Sequence, residues 1–100
     1  METSFQIILH AGNARSSSME AMALAKEGKF EEAREKLAEA KKELHEAHHF
    51  QTELIRAEAR GEEGANINVI LIHAQDHLMT SIVVKDLVTE FVELYEKLAA

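Results

Sequence analysis

Through the middle of the chain, residues suited to packing recur at alternating spacings of four and three: Ala33, Leu37, Ala40, Leu44, Ala47, Gln51 and Leu54. On a helix they fall along one line, the seam that an amphipathic segment presents to its neighbours. Charged residues occupy the other side, with Glu32 and Lys36 one turn apart, an ordinary solvated helix surface. Breaks are few, because the chain has no proline and four glycines. Gly28 in "KEGKF" follows a run of good helix formers and suits a left-handed C-terminal cap. Gly61 and Gly64 in "RGEEGAN" bracket a second break, after which Asn66 can cap a new helix. The pattern predicts three long helices, Thr3 to Glu27, Phe30 to Arg60 and Asn66 to Leu98, with short connections that make successive helices antiparallel.

The third helix divides into two halves. From Lys85 onward, polar residues leave one apolar stripe of Leu87, Phe91, Leu94, Tyr95 and Leu98. Before it, Ile67, Val69, Ile70, Leu71, Ile72, Leu78, Met79, Ile82 and Val83 surround the helix. Two neighbours in one small bundle cannot cover such a surface, and a helix that is apolar all round is normally buried. The expected architecture is therefore all-α, an antiparallel three-helix bundle forming one domain over residues 1–100, assembled as a homo-oligomer with the third helix near its axis. The pattern does not set the number of copies.

Composition narrows the function. One hundred residues make a single domain of the size that oligomerisation often supports. Eleven Lys and Arg against 18 Asp and Glu give a net charge of -7 with scattered basic residues, which argues against a nucleic-acid partner. Without cysteine there is neither a disulfide framework nor a thiolate metal site, in keeping with a reducing cytoplasm. No signal peptide or membrane span is expected, since His73, Asp76 and His77 interrupt the most apolar stretch.

That interruption is the main candidate for chemistry. At 100° per residue His73, Asp76, His77 and Thr80 share about a third of the helix circumference, together with Val69, Leu87 and Phe91. The expectation is that this polar group points into packing. Counting from the turns brings His48 and Gln51, both on the apolar face of the second helix, to the same level, with His45 and His49 further round toward solvent. The stretch "HAGNARS" of the first helix reaches it too, where Gly12, Arg15 and Ser16 share a stripe with Phe5, Ile8 and Met19. A glycine inside a helix costs about 1 kcal/mol relative to alanine and points to a close helix approach. An inward Arg15 calls for an anion. Ser16, Ser17 and Ser18 read as helix surface or as local bonds to carbonyls. So many polar groups at one level must all be satisfied, which favours a site over chance.

"HAQDH" has the form H-x-x-D-H, close to the inverted zinc motif H-x-x-E-H. A narrow bundle offers no cleft for a peptide, so hydrolysis is disfavoured. A positioned imidazole, by contrast, can take and release a phosphoryl group without a cofactor. It needs one ring nitrogen presented outward and donors for the phosphoryl oxygens, for which His77, Thr80, Arg15 and Gln51 are candidates.

"HAQDHLMTS", together with "AGNARS", "EAMALAKEGKFEEA", "EAHHFQTELI" and "EARGE", resembles the lactose/cellobiose-specific IIA components of the bacterial phosphoenolpyruvate-dependent sugar phosphotransferase system, over essentially the whole chain. The resemblance implies a cytoplasmic homotrimer built around the third helix. It implies that His73 takes a phosphoryl group from the phosphohistidine of HPr, on Nε2, and passes it to a cysteine of the cognate IIB component. The IIB component in turn phosphorylates the sugar as the membrane IIC component passes it. Asp76 is implied to meet its symmetry mates on the trimer axis, where a divalent cation such as Mg2+ can bind; no organic cofactor is implied. His10, His45 and His49 have no part in that chemistry, and exposed apolar residues near His73, such as Met79, are candidates for partner contact. The chain begins almost at the first helix, so a longer leader is not expected. The alternative is a non-catalytic helical adaptor on the same fold, which would need no nucleophile. The transported sugar is not written in these residues, since the carrier passes on only a phosphoryl group.

Overall fold

The computed structural model describes residues 2–61 and 69–99. Three helices run along a body of 55 × 19 × 16 Å: α1 Glu2–Lys26, α2 Phe30–Ala59 and α3 Val69–Ala99. The predicted ends of α1 and α2 agree to within one residue. Gly64 of the second break, the expected cap Asn66, and Ile67 lie outside the described residues.

Gly28 ends α1 with φ of +80°, a left-handed conformation that a side chain would strain. Its N–H donates to the Ala25 carbonyl at 3.0 Å, and the Lys29 N–H donates to that of Leu24 at 2.9 Å. Two orphan carbonyls are thereby satisfied while the chain reverses. Gly61 closes α2 in the same way, with φ of +69° and its N–H donating to the Glu58 carbonyl.

The core follows small residues. Ser4, Ile7, Ala11, Ala14, Ser18, Ala21 and Ala25 of α1 are buried, as are Ala33, Ala40, Leu44 and Ala47 of α2 and Ala74, Leu78, Ser81, Val88 and Val92 of α3. Alanine at these positions lets helix backbones approach closely, and larger neighbours such as Phe50, Leu54, Ile82 and Tyr95 close the edges. The predicted α2 seam is the one observed. On α1 the buried line lies beside the predicted stripe: Phe5 and Met19 are half exposed, and Arg15 and Ser16 face solvent. The expectation of an inward Arg15 is therefore corrected. The bulk of Phe5, Ile8 and Met19 drew the stripe, whereas close packing selected the Ala and Ser line.

On α3 the correction is larger. Val69, His73, Asp76, Thr80, Leu87 and Phe91 point away from α1 and α2, so the polar group does not enter the core of its own subunit. One apolar stripe after Lys85 was expected; two faces exist. Val88 and Val92 are buried, with Tyr95 partly so, and Leu87, Leu94 and Leu98 are left open.

Polar contacts fasten the outside. Arg34 of α2 donates to both carboxylate oxygens of Glu96 of α3 at 2.8 and 2.9 Å. Lys36 reaches Glu20 of α1 at 3.0 Å and Glu39 at 3.2 Å, and hydrogen bonds to these carboxylates raise its ammonium pKa above the usual lysine value. Such exposed pairs contribute little to stability. Among the described residues, no helix is long and apolar enough to cross a membrane.

Candidate functional site

The second and third turns of α3 carry the candidate site. His73 is exposed and His77, one turn on and about 40° further round the helix, is partly buried. Their rings stack with centroids 5.9 Å apart and planes 12° from parallel. At His77 the imidazole also meets α1: a methyl group placed on Gly12 would lie 3.4 Å from His77 Nε2. The space at Gly12 is met by the His77 side chain and, among the described residues, not by the backbone of another helix, so the expected close approach is one of a ring to a helix.

The other predicted members separate. Asp76 and Thr80 are exposed on the outward stripe. The Thr80 hydroxyl donates within its own helix, to the carbonyls of Asp76 at 2.9 Å and His77 at 3.2 Å. Gln51 of α2 is partly buried, and its Nε2 donates to Gln75 Oε1 at 2.5 Å, which joins α2 to α3 beside the histidines. Gln75 is the member that sequence reasoning missed. It lies inside "HAQDH", and its signal was a polar side chain one position beyond the buried Ala74. His48, expected on the apolar face of α2, is exposed, and its carbonyl accepts a bond from Thr52 at 3.0 Å. The reason is angular: His48 follows the buried Ala47 by 100°, which carries it off the seam. His45 and His49 face solvent as expected.

His10 belongs to a separate cluster. Its Nδ1 lies 2.5 Å from Glu43 Oε2, Asn13 Nδ2 donates to Glu43 Oε1 at 3.1 Å, and the ring stacks on Phe50 at 5.8 Å. Among the described residues, no three His, Cys, Asp or Glu side chains of one chain come together so as to hold a metal.

An exposed imidazole backed by a second imidazole suits a group that is handed between proteins. A family profile described as "PTS system, Lactose/Cellobiose specific IIA subunit" matches residues 2–96. The chain belongs to this family. Members are phosphotransferase components that carry a phosphoryl group. This IIA component is 58% identical over 94 residues to the lichenan-specific phosphotransferase enzyme IIA component of Bacillus subtilis strain 168, covering 94% of this chain and 84% of that one. It is 44% identical over 94 residues to the N,N'-diacetylchitobiose-specific EIIA component of Escherichia coli K12, covering 94% and 80%. Its fold is similar to the crystal structure of the cellobiose-specific enzyme IIA from Bacillus anthracis, with a TM-score of 0.92 and 58% identity over 98% of this chain and 89% of that one. A solution structure of the Escherichia coli IIA(Chitobiose)–HPr complex is similar over 99% of this chain and 95% of that one, with a TM-score of 0.85 and 40% identity. The IIA component thus belongs with cellobiose, lichenan and chitobiose-type systems.

Proposed function

We propose that His73 is the residue of this IIA component that carries the phosphoryl group. The observation that carries the reading is its exposed ring, stacked on His77 at 5.9 Å and set in the HAQDH stretch. His10, by contrast, is tied to Glu43, and His49 stands 3.6 Å from Glu53. A neutral His73 attacks phosphorus with a ring-nitrogen lone pair; the donor's N–P bond breaks and its electron pair returns to the donor ring. Once both rings are neutral, one proton has moved from His73 to the donor, so no water, metal or oxidant is consumed. His77, Thr80, Gln51 and Arg15 are the candidates, from the sequence, for serving the phosphoryl oxygens. Of these, His77 stands nearest to His73 by ring contact.

HPr is the proposed donor and a IIB cysteine the proposed acceptor, in the cytoplasm. The relative solved in complex with HPr supports the first, and the family resemblance supports the second. An adaptor without a nucleophile is not favoured.

Assembly as a homotrimer is part of the proposal. Ile72, Asp76, Thr80, Val83, Leu87, Phe91, Leu94 and Leu98 form one continuous outward stripe on α3, and Ile72, Val83, Leu87 and Leu94 are each at least half exposed. Second and third copies of the same stripe would cover it. Asp76 interrupts that apolar surface, and three such carboxylates at an axis repel one another unless a cation or shared protons intervene. The Asp76 oxygens of three chains suit a hard divalent cation such as Mg2+, whose contribution would be to neutralise their charge.

The test is intact mass after incubation with phosphoenolpyruvate, Enzyme I and HPr. Wild type is expected to gain about 80 Da, one phosphoryl group, while His73→Gln folds and gains none. Equal labelling of the two would remove the assignment.

A further inference from the structure

Gly12 lies in the interior of α1, where glycine costs about 1 kcal/mol relative to alanine. Neither a turn nor a positive φ requires it there, since the positive-φ glycines of the described chain are Gly28 and Gly61. What occupies the space is specific. Of the atoms a methyl at position 12 would meet across the helix, His77 Nε2 at 3.4 Å is the single one within 4 Å among the described residues. The same ring also meets the reactive one: His77 is stacked on His73 at 5.9 Å and 12°. Gly12, the His77 ring and the His73 ring are therefore in succession, the Nε2 edge of His77 set against α1 where no side chain stands and its face toward His73.

We propose that Gly12 is a positioning residue for phosphoryl transfer. It lets His77 lie with its Nε2 edge against α1 and its face against His73, which fixes the orientation of the reactive imidazole. An exposed histidine is otherwise free to turn about its side-chain bonds, and in-line transfer depends on where the ring nitrogen points. A methyl at 3.4 Å makes ordinary contact, so alanine fits. Branched or longer side chains extend past that distance and push the His77 ring out of the stack. The inference rests on the reading of His73 as phosphoryl acceptor.

A double-mutant cycle tests it, with Gly12→Ala, Gly12→Val and His77→Ala, and with Gly12→Val combined with His77→Ala. Each is read by its rate of phosphoryl acceptance from phospho-HPr and by the imidazole NMR resonances of His73. Gly12→Ala should transfer at nearly the wild-type rate. Valine has a better helix propensity than glycine, so Gly12→Val should retain its helix. It should shift the His73 resonances and slow acceptance roughly ten- to hundred-fold, the scale on which a misplaced reacting group loses rate. In the His77→Ala background, where the ring it displaces is gone, the same valine should change the rate by less than about two-fold. Equal slowing in both backgrounds would overturn the proposal, because valine would then be acting on docking or assembly. Wild-type transfer with unmoved resonances in Gly12→Val would overturn it as well. If Gly12→Val fails to fold, the double variant is expected to fold, and its failure would count against a clash with His77. His73→Gln runs alongside: labelling of that variant removes the acceptor reading itself, whereas labelling at His73 with additive valine effects removes only the role of Gly12.

Discussion

The two histidines of "HAQDH" differ in exposure, and Ser81, one turn beyond His77, is fully buried. Its hydroxyl finds no hydrogen-bond partner among the described residues, in contrast to Ser18, which donates to the Ala14 carbonyl at 2.8 Å. A buried hydroxyl without a partner costs about 1–3 kcal/mol, and the site already has the size for a small side chain. Ser81→Ala is therefore expected to stabilise the subunit by about 1 kcal/mol. Urea unfolding at fixed protein concentration measures it, and a loss of stability would mean that the hydroxyl has a partner after all.

At the level of the helices, the turn after α1 gives the clearest expectation. Nothing stands within 4 Å of a methyl group placed on Gly28, so backbone strain alone opposes a side chain there. Gly28→Ala should cost about 1 kcal/mol, the left-handed penalty for an L-residue, without changing helix content. Denaturation curves against circular dichroism check both parts. The same element shows what a sequence makes legible. Gly28, Gly61 and the α2 seam could be read because each depends on local geometry or on one helix's own period. The α1 seam was misjudged by one position because Ala11, Ala14 and Ala21 carry little hydrophobic weight, yet they set how closely the helices approach. The outward turn of His73 and Asp76 is legible only in part, for a different reason. Periodicity reports that a face needs cover, but not whether its own chain supplies it. The Gln51–Gln75 bond is not legible because counting gives the level at which α2 and α3 meet but not which side chain of α3 turns toward Gln51.

For the whole molecule, the outward stripe of α3 sets the expectation. Leu87→Glu places a charge in the middle of that stripe and is expected to shift the proposed homotrimer toward single chains, as read by sedimentation velocity. Asp76→Leu removes the charges that oppose association, so it should keep the assembly and still accept a phosphoryl group at His73. Loss of the assembly in Asp76→Leu would show the carboxylate to be part of what holds the copies together.

His73 lies beside that same stripe, on the side of the molecule that its own helices leave open. A phosphorylated histidine on a solitary chain would thus stand in bulk water, where its N–P bond is lost to hydrolysis, while neighbouring copies would exclude part of that water. The persistence of the stored phosphoryl group then becomes a function of concentration. Its half-life should shorten on dilution below the association range and in Leu87→Glu, and phosphoprotein decay followed over a dilution series would show whether the carrier keeps its charge only in company.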